Sequence, residues 1–169
     1  ISVLAKQIAE GKLPADSLSY GELAYAAYLT PSLSEKAAIY EATVKTYDNW
    51  AAHNNLGAVY LNMAIAGEGD MNANVEKAVT QLQISLNKKS SAYAQGNVGT
   101  AELMQGNAEK AYASLSEAVA MSPPSKIVYG FNGTKGSIEI MTAKYEDAVK
   151  SLSMQPTMQT TYSIKVLLR

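Results

Sequence analysis

Apolar residues recur at intervals of three and four along most of the chain, a spacing that places them on one face of an α-helix. The five prolines fall between these periodic segments, and no window alternates apolar and polar residues beside turn signals. The pattern therefore predicts an all-α chain of helices joined by short turns. We predict helices at residues 1–10, 20–29, 34–47, 50–66, 74–87, 92–105, 107–121, 127–142, 144–153 and 159–168, with Ser34 and Asn107 as N-caps.

Two small residues and a leucine recur with a fixed spacing. Two copies lie 37 residues apart: Gly99, Ala111 and Leu115, then Gly136, Ala148 and Leu152. An earlier copy, Gly57, Ala78 and Leu82, has nine extra residues between its glycine and its alanine. Self-similarity at this period predicts stacked helical hairpins. We expect the small residues to bring two helices together and the leucine to fill the space to the next pair.

These residues resemble a tetratricopeptide repeat. The stretch from Asn97 through Ala111 to Pro123 is similar to the family pattern over its full length, and residues 55–60 carry its first-helix half. The later copy is weaker, because Lys135 stands where a large apolar residue usually precedes the glycine, and residues 28–37 match only loosely. The resemblance implies a right-handed superhelical solenoid of antiparallel hairpins. Its implied divisions are an N-terminal helix and connector at 1–17, then repeats within 18–169 at 18–49, 50–90, 91–124 and 125–156, and the first helix of a truncated repeat at 157–169.

A narrower resemblance concerns residues 50–57, the irregular repeat that follows them and the truncated last helix. These features look like the repeat regions of bacterial cell-envelope proteins, some of which carry an outer-membrane-protein-A-like peptidoglycan-binding domain. The resemblance implies a periplasmic or outer-membrane-associated location, with a cytoplasmic one as the alternative. Because the chain starts at Ile1 and ends inside an apolar run, we expect a piece of a longer protein, with any export signal or anchor outside it.

Charge and composition narrow the function. The formal net charge is -1 with no run of one sign, so a nucleic-acid partner is not expected. The sequence contains no stretch of 18 apolar residues, so we predict no membrane-spanning helix in it. There is no cysteine, and His53 is the sole histidine, which we expect to be an ordinary packed or exposed helix residue. Neither a nucleophilic triad nor a metal site has a signature, so we predict a protein that is not an enzyme and has no cofactor.

The resemblance implies a partner-binding groove lined by the first helix of each hairpin. This surface is small, neutral and mildly apolar, which suits a protein or peptide segment. The alternative is that its larger side chains, such as Leu103 and Met104, simply pack inside the superhelix. The family subtype that binds the C-terminal tails of chaperones uses basic residues in the groove. The matching positions here hold no basic residue, so a chaperone tail is not expected as the partner. The candidate groove residues are Asn54, Ala58, Leu61, Asn62, Tyr93, Thr100, Leu103, Met104, Ser137, Ile140 and Met141.

Several polar residues have both a structural and a functional interpretation. Glu102 and Glu139 occupy equivalent places in stacked repeats, and we expect each carboxylate to meet a hydroxyl or lysine of the neighbouring repeat rather than to act as an acid–base pair. Within and after the segment 67–74, Asp70, Asn72 and Asn74 alternate like the start of a calcium loop, but Val75 stands where the loop needs glycine and Gln81 where it needs glutamate. We therefore expect a solvated loop, which as an insertion is also a candidate partner contact.

Tyrosine is unusually frequent, with eleven tyrosines against one phenylalanine. Tyr20, Tyr25 and Tyr28 are candidates for stacking on a sugar or a peptide, with inter-helix packing as the alternative. Asn132 begins a glycosylation acceptor pattern, which matters only in a eukaryotic secretory context. The sequence as a whole favours a non-enzymatic protein-interaction scaffold; a structural spacer without a ligand and a carbohydrate- or peptidoglycan-binding accessory module remain alternatives.

Overall fold

The computed structural model describes residues 2–121 and 126–153, and every regular element in these ranges is helical. The all-α prediction is therefore confirmed for this part of the chain. The predicted helix at 159–168 and the truncated repeat at 157–169 lie outside the described residues. A short 3₁₀ turn occupies Ala15–Ser17, and the α-helices are α1 Ser2–Ala9, α2 Tyr20–Leu29, α3 Leu33–Thr46, α4 Trp50–Ala66, α5 Met71–Lys88, α6 Ala92–Met104, α7 Ala108–Met121, α8 Lys126–Met141 and α9 Tyr145–Ser153.

The predicted start of α5 is wrong by three residues and the predicted N-cap of α3 is wrong, and side-chain caps explain both. Helix α5 begins at Met71 rather than at 74, because the Asp70 carboxylate accepts a hydrogen bond from the Ala73 backbone N–H at 2.7 Å. Helix α3 begins at Leu33, because the cap is Ser32, whose hydroxyl oxygen accepts from the Glu35 N–H at 3.3 Å. An N-cap oxygen satisfies one of the free donors in the first turn, so the position of that oxygen decides where the helix starts.

The chain divides into two compact units, residues 1–90 and 91–169. In the first unit, α2 pairs with α3, α4 pairs with α5, α3 packs against α4, and α1 packs against α3 and α2. Its largest fully buried apolar side chains are Leu23, Ile39, Leu56 and Leu82. The Tyr47 hydroxyl at the end of α3 donates a hydrogen bond to the Leu18 carbonyl at 2.5 Å, which fastens the segment before α2 to this pair.

In the second unit, α6 pairs with α7, α8 pairs with α9, and α8 packs against α7 and α6. Leu115, Phe131 and Ile138 form its apolar core together with small alanines. Phe131 of α8 lies directly over Gly96 of α6, where an added Cβ would sit 2.1 Å from the ring Cζ atom. Gly96 therefore makes room for the aromatic ring that joins the two hairpins of this unit.

The three repeated glycines each contact the leucine of their own hairpin. A Cβ added to the glycine would lie 2.7 Å from the leucine Cγ in every case, and the three pairs are Gly57 with Leu82, Gly99 with Leu115, and Gly136 with Leu152. As expected, Leu115 also packs with Phe131 and Ile138 of the next hairpin, but the contact with the glycine gives all three leucines a further role inside their own hairpin. Each leucine fills the gap left by the glycine that faces it, which lets the two helices of one hairpin approach closely.

Four helices end in the same hydrogen-bonded turn. In each, one residue with positive φ donates its N–H to the carbonyl three residues back, and the next residue donates to the carbonyl five residues back. This is the Schellman arrangement, which favours glycine because its first residue is left-handed. Three of the four positions are glycine and the fourth is alanine: Gly11, Gly67, Gly106 and Ala143, with φ of 69°, 71°, 79° and 58°.

The nine extra residues of the irregular repeat are divided between both helices and the turn. Gly67 ends α4 ten residues after Gly57, whereas Gly106 comes seven residues after Gly99. Ala78 comes seven residues after the first residue of α5, whereas Ala111 comes three after the first residue of α7. Because a helical turn takes about 3.6 residues, each helix gains roughly one turn and keeps the same face toward its partner. The prediction of a long loop at 67–74 is therefore wrong; the turn comprises residues 67–70.

Candidate functional site

The predicted groove residues of the first unit differ in accessibility. Asn54 and Leu61 are buried, Ala58 is half-buried and Asn62 is exposed. Leu61 belongs to the hydrophobic core of this unit, which accounts for its lack of exposure. Of the four, Asn62 presents the most surface to a partner.

The predicted groove residues of the second unit are more accessible. Tyr93 is 47% exposed and Met141 is 65% exposed, and Ser137 is also exposed. Both large side chains belong to first helices of hairpins, α6 and α8. The remaining members of the set are half-buried: Thr100, Leu103, Met104 and Ile140. Leu103 packs against the core cluster that contains Leu115, so for this residue the packing interpretation holds.

His53 is buried at the start of α4 and contacts oxygen atoms on both sides of its ring. Its Nε2 lies 2.7 Å from Asp48 Oδ1, and its Nδ1 lies 2.7 Å from Gln81 Oε1. The other oxygen of Asp48 accepts a hydrogen bond from Lys88 Nζ at 2.7 Å. The hydrogen bond from Lys88 is the main reason why the pKa of the Asp48 carboxyl lies below its usual range, and the hydrogen bond with His53 is the second. The group connects the turn before α4 to the end of α5.

This arrangement positions helices, and its geometry offers little to a reaction. A general base needs a ring nitrogen within reach of a substrate proton, and both His53 nitrogens already face protein oxygens. Around the same helix ends, the Ser85 hydroxyl donates to the Trp50 carbonyl at 2.8 Å and Lys89 Nζ lies 4.7 Å from the Trp50 ring centroid. We missed the role of Asp48 in the sequence, although its spacing of five residues before His53 was visible.

The two equivalent glutamates have the kinds of partner that the sequence predicted. Glu102 Oε2 accepts a hydrogen bond from the Ser114 hydroxyl at 2.7 Å. Glu139 is fully buried and lies 3.4 Å from Lys135 Nζ, yet neither of its carboxylate oxygens accepts a hydrogen bond. The expectation is confirmed for the kind of group but wrong for its place, because Ser114 belongs to the same hairpin as Glu102 and Lys135 lies on the same helix as Glu139, not in a neighbouring repeat. Lys135, which weakens the family pattern, is thus the counter-ion of Glu139 and also lies 5.1 Å from the Tyr112 ring centroid.

The turn of the irregular hairpin presents two apolar side chains beside two carboxylates. Ile65 in the last turn of α4 is 66% exposed, and Met71 at the start of α5 is 48% exposed. Glu68 and Asp70, which lie between them, are exposed as well. The insertion drew attention to this segment, but periodicity alone did not show that Ile65 and Met71 face outward.

The three candidate tyrosines of α2 separate into two groups. Tyr20 packs edge-to-face against Tyr47, with ring centroids 6.3 Å apart, so it is part of the helix packing. Tyr25 and Tyr28 are exposed and stack on each other, with centroids 6.5 Å apart and planes 19° from parallel. Asn132 of the glycosylation pattern is buried on α8.

Within residues 2–121 and 126–153, no three histidine or acidic side chains are close enough together to hold a metal ion. In the same ranges, no helix has the length and hydrophobicity needed to cross a lipid bilayer. No protein-family model matches the chain, and no curated protein matches it.

Proposed function

We propose that the chain is the repeat region of a non-enzymatic protein-interaction scaffold of the tetratricopeptide class, whose hairpins continue one another in a right-handed superhelical solenoid. The observation that carries this proposal is the glycine–leucine contact, which recurs with the same 2.7 Å approach in three hairpins. Hairpins built in this way bury their apolar faces against neighbours and leave an extended surface, the usual place where repeat proteins bind.

The accessible part of the candidate groove supports a protein or peptide partner. Tyr93 and Met141 expose large side chains on α6 and α8, the first helices of two successive hairpins. Tyrosine combines an apolar ring with a polar hydroxyl, and methionine adapts its shape to a partner. Helix α6 has no basic residue, and the two lysines of α8, Lys126 and Lys135, are not adjacent to Met141 in the sequence. The small number of charges favours a largely neutral partner segment.

A second candidate function is carbohydrate binding, and the exposed Tyr25–Tyr28 pair favours it. The two exposed rings stack on each other on α2, and the outer face of this stack is an apolar platform against which the apolar face of a sugar ring can pack. The resemblance of residues 50–57 to envelope repeat regions supports a periplasmic or outer-membrane-associated location and makes peptidoglycan a sensible glycan to test. A cytoplasmic location and a spacer without a ligand are the alternatives.

The proposal is tested by affinity capture with chemical cross-linking from an envelope extract of the source cell. The bait variants are Tyr93→Ala/Met141→Gln for the groove and Tyr25→Ala/Tyr28→Ala for the platform, beside wild type. Leu103 is left unchanged, because it packs against the core and an aspartate there would destabilise the unit.

Each outcome separates the candidate functions. A protein captured by wild type and by the α2 variant, but lost with Tyr93→Ala/Met141→Gln, supports the scaffold. Retention on peptidoglycan that is lost with Tyr25→Ala/Tyr28→Ala supports the carbohydrate candidate instead. Equal behaviour of all three baits contradicts both and favours the spacer.

A further inference from the structure

We propose that the end of the α4–α5 hairpin, residues 65–72, docks a basic protein segment that carries an apolar side chain. We call this surface the acidic tip. The inference rests on the proposed scaffold function, and it adds the hairpin end that begins one turn beyond the groove candidate Asn62 on α4, together with the chemistry of its partner.

The acidic tip extends further from its glycine–leucine contact than the turn of the next hairpin does from its own. Three extra residues in α4 and four in α5 lengthen the helices by about 5 Å at a rise of 1.5 Å per residue. Because the added lengths are close to one turn, Gly57 and Leu82 keep the contact seen between Gly99 and Leu115. The glycine–leucine contact of the hairpin therefore does not require the extension.

The acidic tip is held in one conformation by four hydrogen bonds. The N–H groups of Gly67 and Glu68 donate to the carbonyls of Ala64 and Met63 at 3.3 and 2.9 Å. The Asn74 amide donates to the Glu68 carbonyl at 2.7 Å, and Asp70 accepts from the Ala73 N–H at 2.7 Å. A turn that is ordered before binding loses less conformational entropy when a partner docks.

The chemistry of the acidic tip combines apolar surface with negative charge. Ile65 and Met71 are 66% and 48% exposed. Glu68 and Asp70 form no ion pair within the described part of the chain, and the sequence has no lysine or arginine between Lys45 and Lys77. Such a surface complements a positively charged segment with an apolar anchor, because the charges steer the encounter and the anchor removes Ile65 and Met71 from water.

The inference is tested by NMR titration of the isotope-labelled 169-residue chain with a designed helical peptide of lysines and leucines, beside a peptide of the same pattern with glutamates for lysines. We expect the basic peptide to shift amide signals of residues 63–76, with an affinity that falls as salt is added, and the acidic peptide to leave them unchanged. Shifts spread evenly over the protein, or equal shifts with both peptides, overturn the inference.

Two pairs of substitutions separate the apolar and charged contributions. Ile65→Gln/Met71→Gln is expected to weaken binding of the basic peptide about tenfold, because burial of two exposed apolar side chains is lost. Glu68→Gln/Asp70→Asn is expected to weaken it about threefold to tenfold at low salt, and asparagine keeps the cap of α5. The control Glu109→Gln/Glu146→Gln removes two exposed carboxylates elsewhere and is expected to bind as wild type. Unchanged affinity of both tip variants overturns the inference.

Failure of this inference is distinguishable from failure of the proposed function. Peptide-induced shifts at Tyr93 and Met141 without shifts at residues 65–72 leave the scaffold standing and refute the acidic tip. In the opposite case, wild type captures no protein from the extract, but the basic peptide binds specifically at residues 65–72. That result refutes the proposed groove function and supports the acidic tip.

Discussion

Leu82 of α5 occupies the space that a side chain on Gly57 of α4 would need, since a Cβ built there lies 2.7 Å from the leucine Cγ and 3.2 Å from the Ala78 carbonyl oxygen. One of the two near atoms is backbone and cannot move without shifting the helix. The glycine is therefore required by the approach of two helices, and the cost of a glycine inside a helix is offset by the packing that it permits.

Gly57→Ala is expected to lower the free energy of unfolding by about 1–3 kcal/mol, because the added methyl group overpacks the contact with Leu82. Chemical denaturation of the variant and wild type measures this difference. The matched control is Gly130→Ala on α8, where nothing lies within 4 Å of the added Cβ. That change is expected to stabilise by about 0.5–1 kcal/mol through helix propensity alone. A stabilised Gly57→Ala protein would contradict the packing argument.

The helical pairs were predictable because their determinants are local. Apolar spacing and turn residues predict the observed bounds of α2 and α4, and the glycine–alanine–leucine spacing predicts three of the hairpins. The cap residues Ser32 and Asp70 were missed because several neighbouring polar residues are equally capable of capping, and the backbone geometry chooses among them.

The candidate surface was less predictable because it depends on contacts between helices. The family resemblance implied a groove face that includes Leu61 and Leu103. Burial is decided by which neighbouring helix covers that face, and both residues take part in packing. The hydrogen bonds around His53 have the same origin, since Gln81, which contacts His53, and Lys88, which donates to Asp48, both come from the partner helix. Spacing along one helix carries no information about side chains on another.

Ala143→Gly is expected to raise the free energy of unfolding by about 1 kcal/mol. Ala143 has a φ of 58° at the position that glycine fills in the three other turns of this type, and a Cβ is unfavourable in that conformation. The comparison is Gly106→Ala, which places the same methyl group in the same conformation and is expected to destabilise by a similar amount. Denaturant titration of both variants gives the two values. Changes of the same sign in both would show that left-handed geometry does not control these turns.

Asp48→Asn is expected to lower the melting temperature near neutral pH and to have no effect in strong acid. Hydrogen bonds from Lys88 and His53 depress the pKa of Asp48 below its ordinary value of 3.8, so the folded state favours the ionised form. The stabilisation is present above that ordinary value and disappears as the pH falls through the lower folded value. Melting curves of wild type and variant between pH 2 and 7 measure it. A difference that does not change with pH would exclude the carboxylate charge as its source.

Glu139→Met is expected to raise the free energy of unfolding by about 1 kcal/mol, whereas Glu102→Met is expected to lower it by about 1 kcal/mol. Glu139 is fully buried without a hydrogen bond, so its desolvation is only partly offset by Lys135 at 3.4 Å. The Lys135 ammonium retains some access to water and the nearby Tyr112 ring when the carboxylate is removed.

Glu102 is the matched case because it occupies the equivalent place and accepts a hydrogen bond from the buried Ser114 hydroxyl. Its removal leaves that hydroxyl without its acceptor, which is why the sign of the effect reverses. Urea titration of both variants gives the comparison. An unchanged slope of the unfolding free energy against urea concentration checks that each variant unfolds in the same manner as wild type. A loss of stability for Glu139→Met as large as that for Glu102→Met would show that the Lys135 ion pair compensates the buried charge in full.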